Sequence, residues 1–216
     1  MLSEHLQNVK EEERTQIARE IHDELGQQLT VMKMDISWLA EKLGNQDNAV
    51  VQRMTDLNAM LDTTVSTVRR IAYELRPSIL DDMGLAAAIE WQLSEFKKKS
   101  GVKTEFKHNQ KELPLPENVK IGLFRIVQES LTNVSRYANA GKVMVSLQQN
   151  EKLLVLSIID NGTGFDKETI AVKKTLGILG MKERTVMMGG NYEIDSTPGK
   201  GTTVSVTVPF PLKVKD

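Results

Sequence analysis

The sequence predicts a helical hairpin followed by an α/β domain, and three patterns along the chain support this fold class. Two long segments in the first third carry apolar residues three or four positions apart, which is typical of helices with one buried face. A polar stretch at residues 44–48 separates these segments, and Pro77 ends the second one. Beyond Pro77, helical segments alternate with short strands. We therefore expect two domains, residues 1–80 and 81–216.

The hairpin is expected to pair with a second copy of itself. The first helix, residues 1–43, carries a predicted buried stripe made of Ile17, Ile21, Leu25, Leu29, Met32, Ile36, Leu39 and Leu43. The second helix carries an equivalent stripe made of Val51, Met54, Leu57, Leu61, Val65, Val68, Ile71 and Leu75. Two helices cannot enclose both stripes, so we expect a homodimer in which two hairpins form a four-helix bundle. A coiled-coil dimeriser without chemistry is the alternative that this pattern leaves open.

The second domain is expected to contain helices and alternating strands. Predicted helices cover residues 85–100, 117–138 and 176–188, and predicted strands cover residues 102–108, 143–148, 153–159, 191–196 and 202–208. Residues 76–85 are interpreted as a linker between the domains. Residues 166–175 are polar and then basic, a composition that suits a mobile lid over phosphates.

Composition excludes several classes of function. The 216 residues include no cysteine, which rules out disulfides and thiolate metal sites, and the three histidines lie too far apart in sequence to indicate a zinc cluster. A net charge of −1 gives no electrostatic basis for binding nucleic acid. No apolar run is long enough to span a membrane and no secretion leader is present. A cytoplasmic location is expected, for the whole protein or for the cytoplasmic part of a membrane-bound sensor.

His22 is the predicted chemical centre of the hairpin. It follows the buried stripe by one position, and one helical step turns about 100°, so its ring is expected at the edge of the buried seam. A neutral imidazole can attack phosphorus through one ring nitrogen while the other gives up its proton. Asp23 is placed to accept that proton, and Gln27 could orient a water for the reverse, hydrolytic reaction. Gly26, one turn beyond His22, would leave space over the ring.

Hard oxygen ligands on one predicted helix indicate a magnesium site in the second domain. Glu129 and Asn133 lie one helical turn apart and offer the oxygen atoms that Mg²⁺ accepts while it keeps waters and substrate phosphates. Tyr137 follows at the next turn with Arg136 beside it. By spacing alone, such a pair also occurs on ordinary solvated helices.

Two glycine-containing stretches indicate a nucleotide. Asp160 ends a predicted strand, where its carboxylate can accept a hydrogen bond from an exocyclic amine, and Gly162 and Gly164 permit close approach of the backbone to a ligand. Gly177 and Gly180 begin a helix whose free N–H groups favour an anion such as a triphosphate. The first stretch alone is also a common turn. The chain contains no Walker motif.

Together these motifs resemble two-component sensor histidine kinases, in the subfamily that signals to NarL-type response regulators. Residues 20–27 are similar to the H-D-x-x-x-Q phosphoacceptor motif, and residues 76–85 resemble the R-P-x-x-L-D-x-x-G-L junction of that subfamily. Residues 125–133 resemble the N box, and the two glycine stretches resemble the G1 and G2 boxes. Gly201 and Thr202 match the final G-T pair.

The resemblance implies an ATP-binding sandwich of the Bergerat (GHKL) type and a protein histidine kinase. It implies autophosphorylation on His22 with ATP, then phosphoryl transfer to an aspartate of a response regulator receiver domain, with phosphatase activity on that regulator. The matching residues imply that Glu129 and Asn133 hold Mg²⁺ and that Asp160 reads adenine, with Thr202 beside it.

The N-box helix shows one departure from the subfamily. Arg136 matches the basic residue that meets phosphate in the family. Tyr137 stands where the subfamily usually has histidine, whereas related kinases have a tyrosine there that lies near the nucleotide base.

Two further functions of different classes stay open. The chain could be a dimeric scaffold that binds nucleotide without transferring phosphate, but Asp23, Gln27, Asn133 and Asp160 are all present and argue against that reading. It could instead phosphorylate serine or threonine in a regulatory partner, as other Bergerat proteins do. Such a kinase would not need an H-D-x-x-x-Q hairpin.

Overall fold

The computed structural model describes residues 2–43, 48–75, 80, 83–109, 114–150, 152–166 and 176–210. The chain divides into two compact units, Met1–Ser78 and Ile79–Asp216. The first unit is helical and the second combines helices with one sheet, so the predicted fold class is confirmed. The expected turn at residues 44–48, linker at 76–85 and lid at 166–175 lie largely outside the described residues.

The first unit is a hairpin of two helical rods. The first rod consists of α1 (Leu2–Glu20), a π-helical turn (Ile21–Leu25) and α2 (Gly26–Leu43), and the second rod is α3 (Asn48–Leu75). Helix α3 packs against both α1 and α2, and an ion pair between Lys33 and Asp62 joins the rods. Among the described helices, none combines the length and the apolar character that crossing a bilayer requires.

A wide turn at His22 corrects the prediction of an uninterrupted first helix. The backbone N–H of Gly26 donates to the carbonyl of Ile21, a step of five residues where an α-helix has four. The less exposed residues around this turn are Ala18, Ile21, Gly26 and Leu29. The step from Ile21 to Gly26 is one residue longer than a step along an α-helical face. The turn therefore changes the helical phase between the residues before and after His22.

The hairpin buries only part of the predicted stripes. Leu29 and Ile36 are half-buried, whereas several stripe residues remain more than a third exposed: Ile17, Leu25, Met32, Leu39, Leu57 and Ile71. Leu25, Met32 and Leu39 are seven residues apart, the repeat of a separate helix–helix seam. Within the part of the chain that the structure describes, this seam stays open, because α3 packs against the face of the first rod that carries the half-buried Leu29 and Ile36.

We expect Gly26→Ala to stabilise the helical unit by up to about 1 kcal/mol. Gly26 has ordinary helical φ and ψ of −62° and −42°, and apart from its chain neighbours and the adjacent helix backbone, no atom of the described residues lies within 4 Å of the position that a Cβ would take. Alanine is also the better helix former. Urea unfolding followed by circular dichroism measures the change. The exposed Gln28→Ala is the control and should stay within about 0.5 kcal/mol of wild type. A destabilised Gly26→Ala protein would show that the turn itself requires glycine.

The second unit is a two-layer α/β sandwich. Its elements are α4 (Gly84–Ser100), β1 (Lys103–His108), α5 (Glu117–Asn133), a second π-helical turn (Val134–Ala138), β2 (Lys142–Gln149), β3 (Leu153–Asp160), α6 (Leu176–Met187), β4 (Asn191–Thr197) and β5 (Gly201–Pro209). The strand order is β1-β2-β3-β5-β4, with β1 parallel to β2 and the other pairs antiparallel. The three helices pack against this sheet or against one another.

The core of the second unit follows from strand alternation. Every second residue of β2 and β3 is buried, so that one face of the sheet is apolar. Helix α5 supplies the facing layer through residues with no exposed surface: Leu123, Phe124, Ile126 and Val127. Strand β5 follows β3 in the sheet, which places the start of β5 beside the end of β3. This arrangement brings Asp160 and Thr202 together.

Candidate functional site

A groove lies beside the π-helical turn that contains His22. It has a volume of about 440 Å³, runs between α2 and α3, and is lined by Asp23, Gly26, Gln27, Thr30, Val31, Val65, Val68 and Ala72. The side chains of Asp23 and Gln27, the predicted base and the predicted water-orienting residue, are exposed in it. The backbone of His22 lies in the turn, and its side chain lies outside the described part of the chain. The turn thus places Asp23 and Gln27 on one concave surface.

Asp160 is a buried carboxylate at the end of β3, with 7% of its surface exposed. Burial raises the pKa of the Asp160 carboxyl above its usual range, although hydrogen bonds from Gly162 and from the N–H and hydroxyl of Thr202 lower it. The Gly162 bond to Oδ1 is 2.8 Å long. A carboxylate offers about four acceptor positions, and the described residues supply three donors. One acceptor position is therefore available to a donor such as an exocyclic amine.

Gly162 allows the loop after β3 to pack against the second π-helical turn. A Cβ at this position would lie 2.7 Å from the Cβ of Ala138 and would also overlap its carbonyl oxygen. The backbone N–H of Thr163 donates to the same carbonyl over 2.7 Å. The absence of a side chain at Gly162 is thus needed for contact within the protein, in addition to any approach of a ligand.

Gly164 packs the other side of this loop against the turn between β4 and β5. Its φ is +59°, and a Cβ would overlap the carbonyl oxygen of Thr197 and approach that of Gly201 to 2.9 Å. The backbone N–H of Gly199 donates to the carbonyl of Thr163 over 2.6 Å. The loop is therefore held on both sides, and glycine is required at 164 by backbone conformation as well as by space.

Glu129 and Asn133, the predicted magnesium ligands, lie one turn apart at the end of α5 and are half-buried. The Glu129 carboxylate lies against Gly177 at the start of α6, so closely that a Cβ at 177 would overlap its Oε1. Around Gly180, in contrast, the described residues beyond its chain neighbours and the adjacent helix backbone place no atom within 4 Å of the position of a Cβ. Of the two predicted phosphate-binding glycines, Gly177 makes room for Glu129 and Gly180 faces open space.

Tyr137 and Arg136 do not continue the face formed by Glu129 and Asn133. The prediction of one helix to residue 138 is corrected, because the α-helix ends at Asn133 and a π-helical turn follows. The wider turn shifts Tyr137 out of the four-residue step. Its side chain is 71% exposed, and its carbonyl accepts a hydrogen bond from the Thr163 hydroxyl over 3.3 Å. Arg136 is also exposed.

Ser196 is a buried residue of the site that the sequence patterns do not single out. It lies on β4 opposite Thr202 of β5, with 8% of its surface exposed. Its Oγ lies 3.1 Å from the Thr202 hydroxyl, donates to the carbonyl of Gly201 and accepts from the N–H of Phe165, the last two over 3.0 Å each. The signal that identifies it is the register of β4 on β5, which is known only once the two strands are paired.

The buried Asp160 predicts a pH dependence of stability in the absence of nucleotide. Because its pKa in the folded state lies above the ordinary value of 3.8, the native state holds this proton more tightly than the unfolded chain does. Its contribution to stability is therefore fully present below that value and is lost as the pH rises through the folded-state pKa. We expect the free energy of unfolding of the wild type, minus that of Asp160→Asn, to decrease from about pH 4 to about pH 7. Urea unfolding at several pH values measures this difference, and a constant or rising difference contradicts the assignment.

Two family models match consecutive parts of the chain. Residues 13–80 match the model described as histidine kinase. Residues 118–212 match the model described as histidine kinase-, DNA gyrase B-, and HSP90-like ATPase. The two matches cover the hairpin and the sandwich respectively, and the second identifies the sandwich as an ATP-binding domain.

Curated relatives and a solved structure agree with these matches. The signal transduction histidine-protein kinase/phosphatase DegS of Brevibacillus brevis is 36% identical over 203 residues, which cover 93% of this chain and 52% of DegS. The sensor histidine kinase LiaS of Bacillus subtilis (strain 168) is 36% identical over 203 residues, 94% of this chain and 56% of LiaS. The chain thus spans about half the length of the curated relatives it matches.

The solved structure is similar in fold. It is the histidine kinase domain of the blue-light activated histidine kinase from Erythrobacter litoralis EL346, with a TM-score of 0.53 and 14% identity. The match covers 85% of this chain and 94% of that one. At this level of identity the likeness concerns the arrangement of a helical region followed by an α/β domain.

Proposed function

This chain belongs to the histidine kinases, and from that premise we propose that it phosphorylates its own His22 with ATP and passes the phosphoryl group to an aspartate of a response regulator. The observation that supports nucleotide use most directly is the buried Asp160 carboxylate, which is held by Gly162 and Thr202 and keeps one acceptor position available. An adenine amine is the donor that this position fits.

The residues proposed to bind ATP all belong to the second unit. Asp160 accepts the exocyclic amine of adenine, with Thr202 fixing the carboxylate. The glycine loop at Gly162 and Gly164 shapes one wall, since neither position leaves room for a side chain. The backbone N–H groups from Gly177 to Gly180 are proposed to bind the phosphates at the start of α6, where a helix favours anions. Arg136 and Tyr137 are proposed as the remaining contacts, to phosphate and to base.

Magnesium is proposed to bind at the end of α5. Glu129 and Asn133 fit this ion, because they lie one turn apart at the end of α5, both carry a side-chain oxygen and both are half-buried. When bound, the ion would neutralise phosphate charge, the usual contribution of a metal to phosphoryl transfer. The contact of Glu129 with Gly177 keeps this carboxylate next to the proposed phosphate-binding turn.

The proposed chemistry at the hairpin uses three residues. One ring nitrogen of His22 attacks the γ-phosphorus of ATP, the bond from that phosphorus to the bridging oxygen of ADP breaks, and ADP leaves with the bonding electrons. Asp23 accepts the proton from the other ring nitrogen. Gln27, in the same groove as Asp23, is proposed to orient a water for dephosphorylation of the regulator. A relative whose name includes phosphatase supports this second activity.

We further propose that the hairpin forms a homodimer and acts in the cytoplasm. The open seam of Leu25, Met32 and Leu39 is exposed together with Leu57 and Ile71 of α3. A second hairpin related by two-fold symmetry would bury this seam in a four-helix bundle. Sedimentation equilibrium should give twice the chain mass of 24.2 kDa. Replacing Met32 and Leu39 together with glutamate should shift the equilibrium to the monomer, and a monomeric wild type contradicts the proposal.

Incubation with γ-³²P-labelled ATP and magnesium tests the proposed activity. The expected product is labelled protein whose label is lost in acid and kept in base, as for phosphate on a ring nitrogen. Label that survives acid would identify a serine or threonine kinase. Bound ATP without any label, with magnesium present and the protein dimeric, would identify a scaffold. Either of these last two results contradicts the proposal.

A further inference from the structure

We propose that Ser196 is a positioning residue of the nucleotide site, and that its hydroxyl sets the preference for adenine by orienting the Thr202–Asp160 pair. The inference rests on the proposed function, because it assumes that Asp160 reads the amine of the base. Ser196 itself touches no reacting group. Its effect passes through two segments that flank Asp160, which are the start of β5 and the glycine loop.

The contacts of Ser196 connect both segments. On the β5 side, its Oγ donates to the carbonyl of Gly201 over 3.0 Å and lies 3.1 Å from the hydroxyl of Thr202. On the loop side, it accepts from the backbone N–H of Phe165 over 3.0 Å. Ser196 is a buried residue, 8% exposed, and its hydroxyl joins β4, β5 and the loop that follows Asp160.

The contacts of the two hydroxyls place Ser196 next to the group that holds Asp160. The Ser196 hydroxyl donates to the carbonyl of Gly201, and in its 3.1 Å contact with the Thr202 hydroxyl either oxygen can be the donor. Thr202 in turn hydrogen-bonds to the Asp160 carboxylate through its N–H and its hydroxyl. Ser196 therefore fixes the backbone of Gly201 and limits the rotation of the Thr202 hydroxyl beside the carboxylate.

Loss of the Ser196 hydroxyl would remove two of the contacts that hold the surroundings of Asp160. The Thr202 hydroxyl would lose the contact at 3.1 Å and be free to rotate away from Asp160, and the N–H of Phe165 would lose its acceptor. The Asp160 carboxylate would then no longer be held in one orientation for an incoming amine. A base that lacks the amine does not bind this carboxylate, so its affinity does not depend on the orientation of the carboxylate. The preference for adenine should therefore fall more than the affinity for nucleotides in general.

Calorimetric titration with ATP and with ITP, in the presence of magnesium, measures this preference. ITP has a carbonyl where ATP has the exocyclic amine, so the ratio of the two dissociation constants isolates the contact with Asp160. We expect Ser196→Ala to reduce the ATP-to-ITP preference by about tenfold, the effect of one hydrogen bond to a charged group. Ser196→Thr keeps the hydroxyl and should restore the preference to within about threefold of wild type.

The matched control is Ser205→Ala on β5. Ser205 lies between the buried Val204 and Val206, so its side chain is on the opposite face of the sheet from Ser196 and Thr202. Its replacement should leave both dissociation constants unchanged. In autophosphorylation, Ser196→Ala should raise the KM for ATP and leave kcat at saturating ATP unchanged, because His22 and Asp23 are untouched.

The outcomes separate the inference from the proposed function. A wild type that binds neither nucleotide contradicts the proposed function. A wild type that prefers ATP, with a Ser196→Ala variant that keeps the full preference, overturns only the inference. Equal weakening of ATP and ITP binding, or a Ser196→Ala protein that does not fold, would show that the hydroxyl supports the sheet and not the recognition of adenine, and would also overturn it.

Discussion

His22→Gln is expected to abolish incorporation of phosphate, with labelling reduced at least about 1,000-fold, because a side-chain amide cannot serve as the nucleophile. Nucleotide affinity should stay unchanged, since His22 belongs to the unit Met1–Ser78 and the proposed ATP-binding residues belong to Ile79–Asp216. The measurements are labelling with γ-³²P-ATP and calorimetric titration with ATP on the same preparation. Both are needed, because loss of labelling alone would not separate a missing nucleophile from a missing substrate.

His108→Gln is the matched control for this experiment. His108 lies on β1, is exposed and stacks on Phe106 with ring centroids 5.0 Å apart, so its replacement removes a histidine from a surface remote in sequence from the H-D-x-x-x-Q motif. It should label like wild type. Acid-labile label on the His22→Gln protein would place the phosphoryl group on another residue and overturn the assignment of His22.

Asp160→Asn is expected to weaken ATP binding by about 100- to 1,000-fold, because it leaves polar groups without partners in a buried site. The Asp160 carboxylate accepts from Gly162 and from Thr202, and in the proposed complex it would also accept from the adenine amine. An amide has one oxygen with two acceptor positions, and its NH₂ group would face donors. Calorimetric titration with ATP measures the loss, and labelling of His22 should fall in parallel at low ATP.

Glu193→Gln is the control for the Asp160 substitution. Glu193 is an exposed carboxylate on β4 whose hydrogen-bond partner is Asn191, so the same change of charge should leave ATP binding unaltered. If Asp160→Asn retained ATP affinity within tenfold of wild type, the carboxylate would not be the group that recognises adenine. The nucleotide would then have to bind elsewhere on the sandwich.

The two π-helical turns could not be predicted from the sequence. Apolar spacing predicted both long rods and the α5 helix, but it did not reveal the wide turns at Ile21–Leu25 and Val134–Ala138. A pattern with steps of three and four residues tolerates one extra residue, so periodicity does not detect a π-helical turn. Both turns lie at predicted functional motifs, where such turns are frequent. As a consequence, Tyr137 does not share the helix face of Glu129 and Asn133, although α-helical spacing predicts that it does.

The glycines show a second limit. The sequence predicts that Gly162 and Gly164 allow close approach of a ligand and that Gly177 exposes backbone N–H groups to an anion. In the structure, all three also make room for other parts of the protein, namely Ala138, the β4–β5 turn and Glu129. These contacts join segments that are far apart in the sequence, so the local pattern could not distinguish space for a ligand from space for the chain itself.

The sequence by itself determined the fold class and the order of the motifs, and it predicted which side chains are reactive. Helical and strand periodicity and the residue types of a motif are written within short windows of the chain, so they can be read without coordinates. Only the tertiary structure decided how Asp160, Thr202, Ser196 and the glycine loop meet. Their contacts depend on β5 pairing with both β3 and β4 in one register. That register is set by packing of the whole sheet, because a shift of one residue would turn every side chain to the other face.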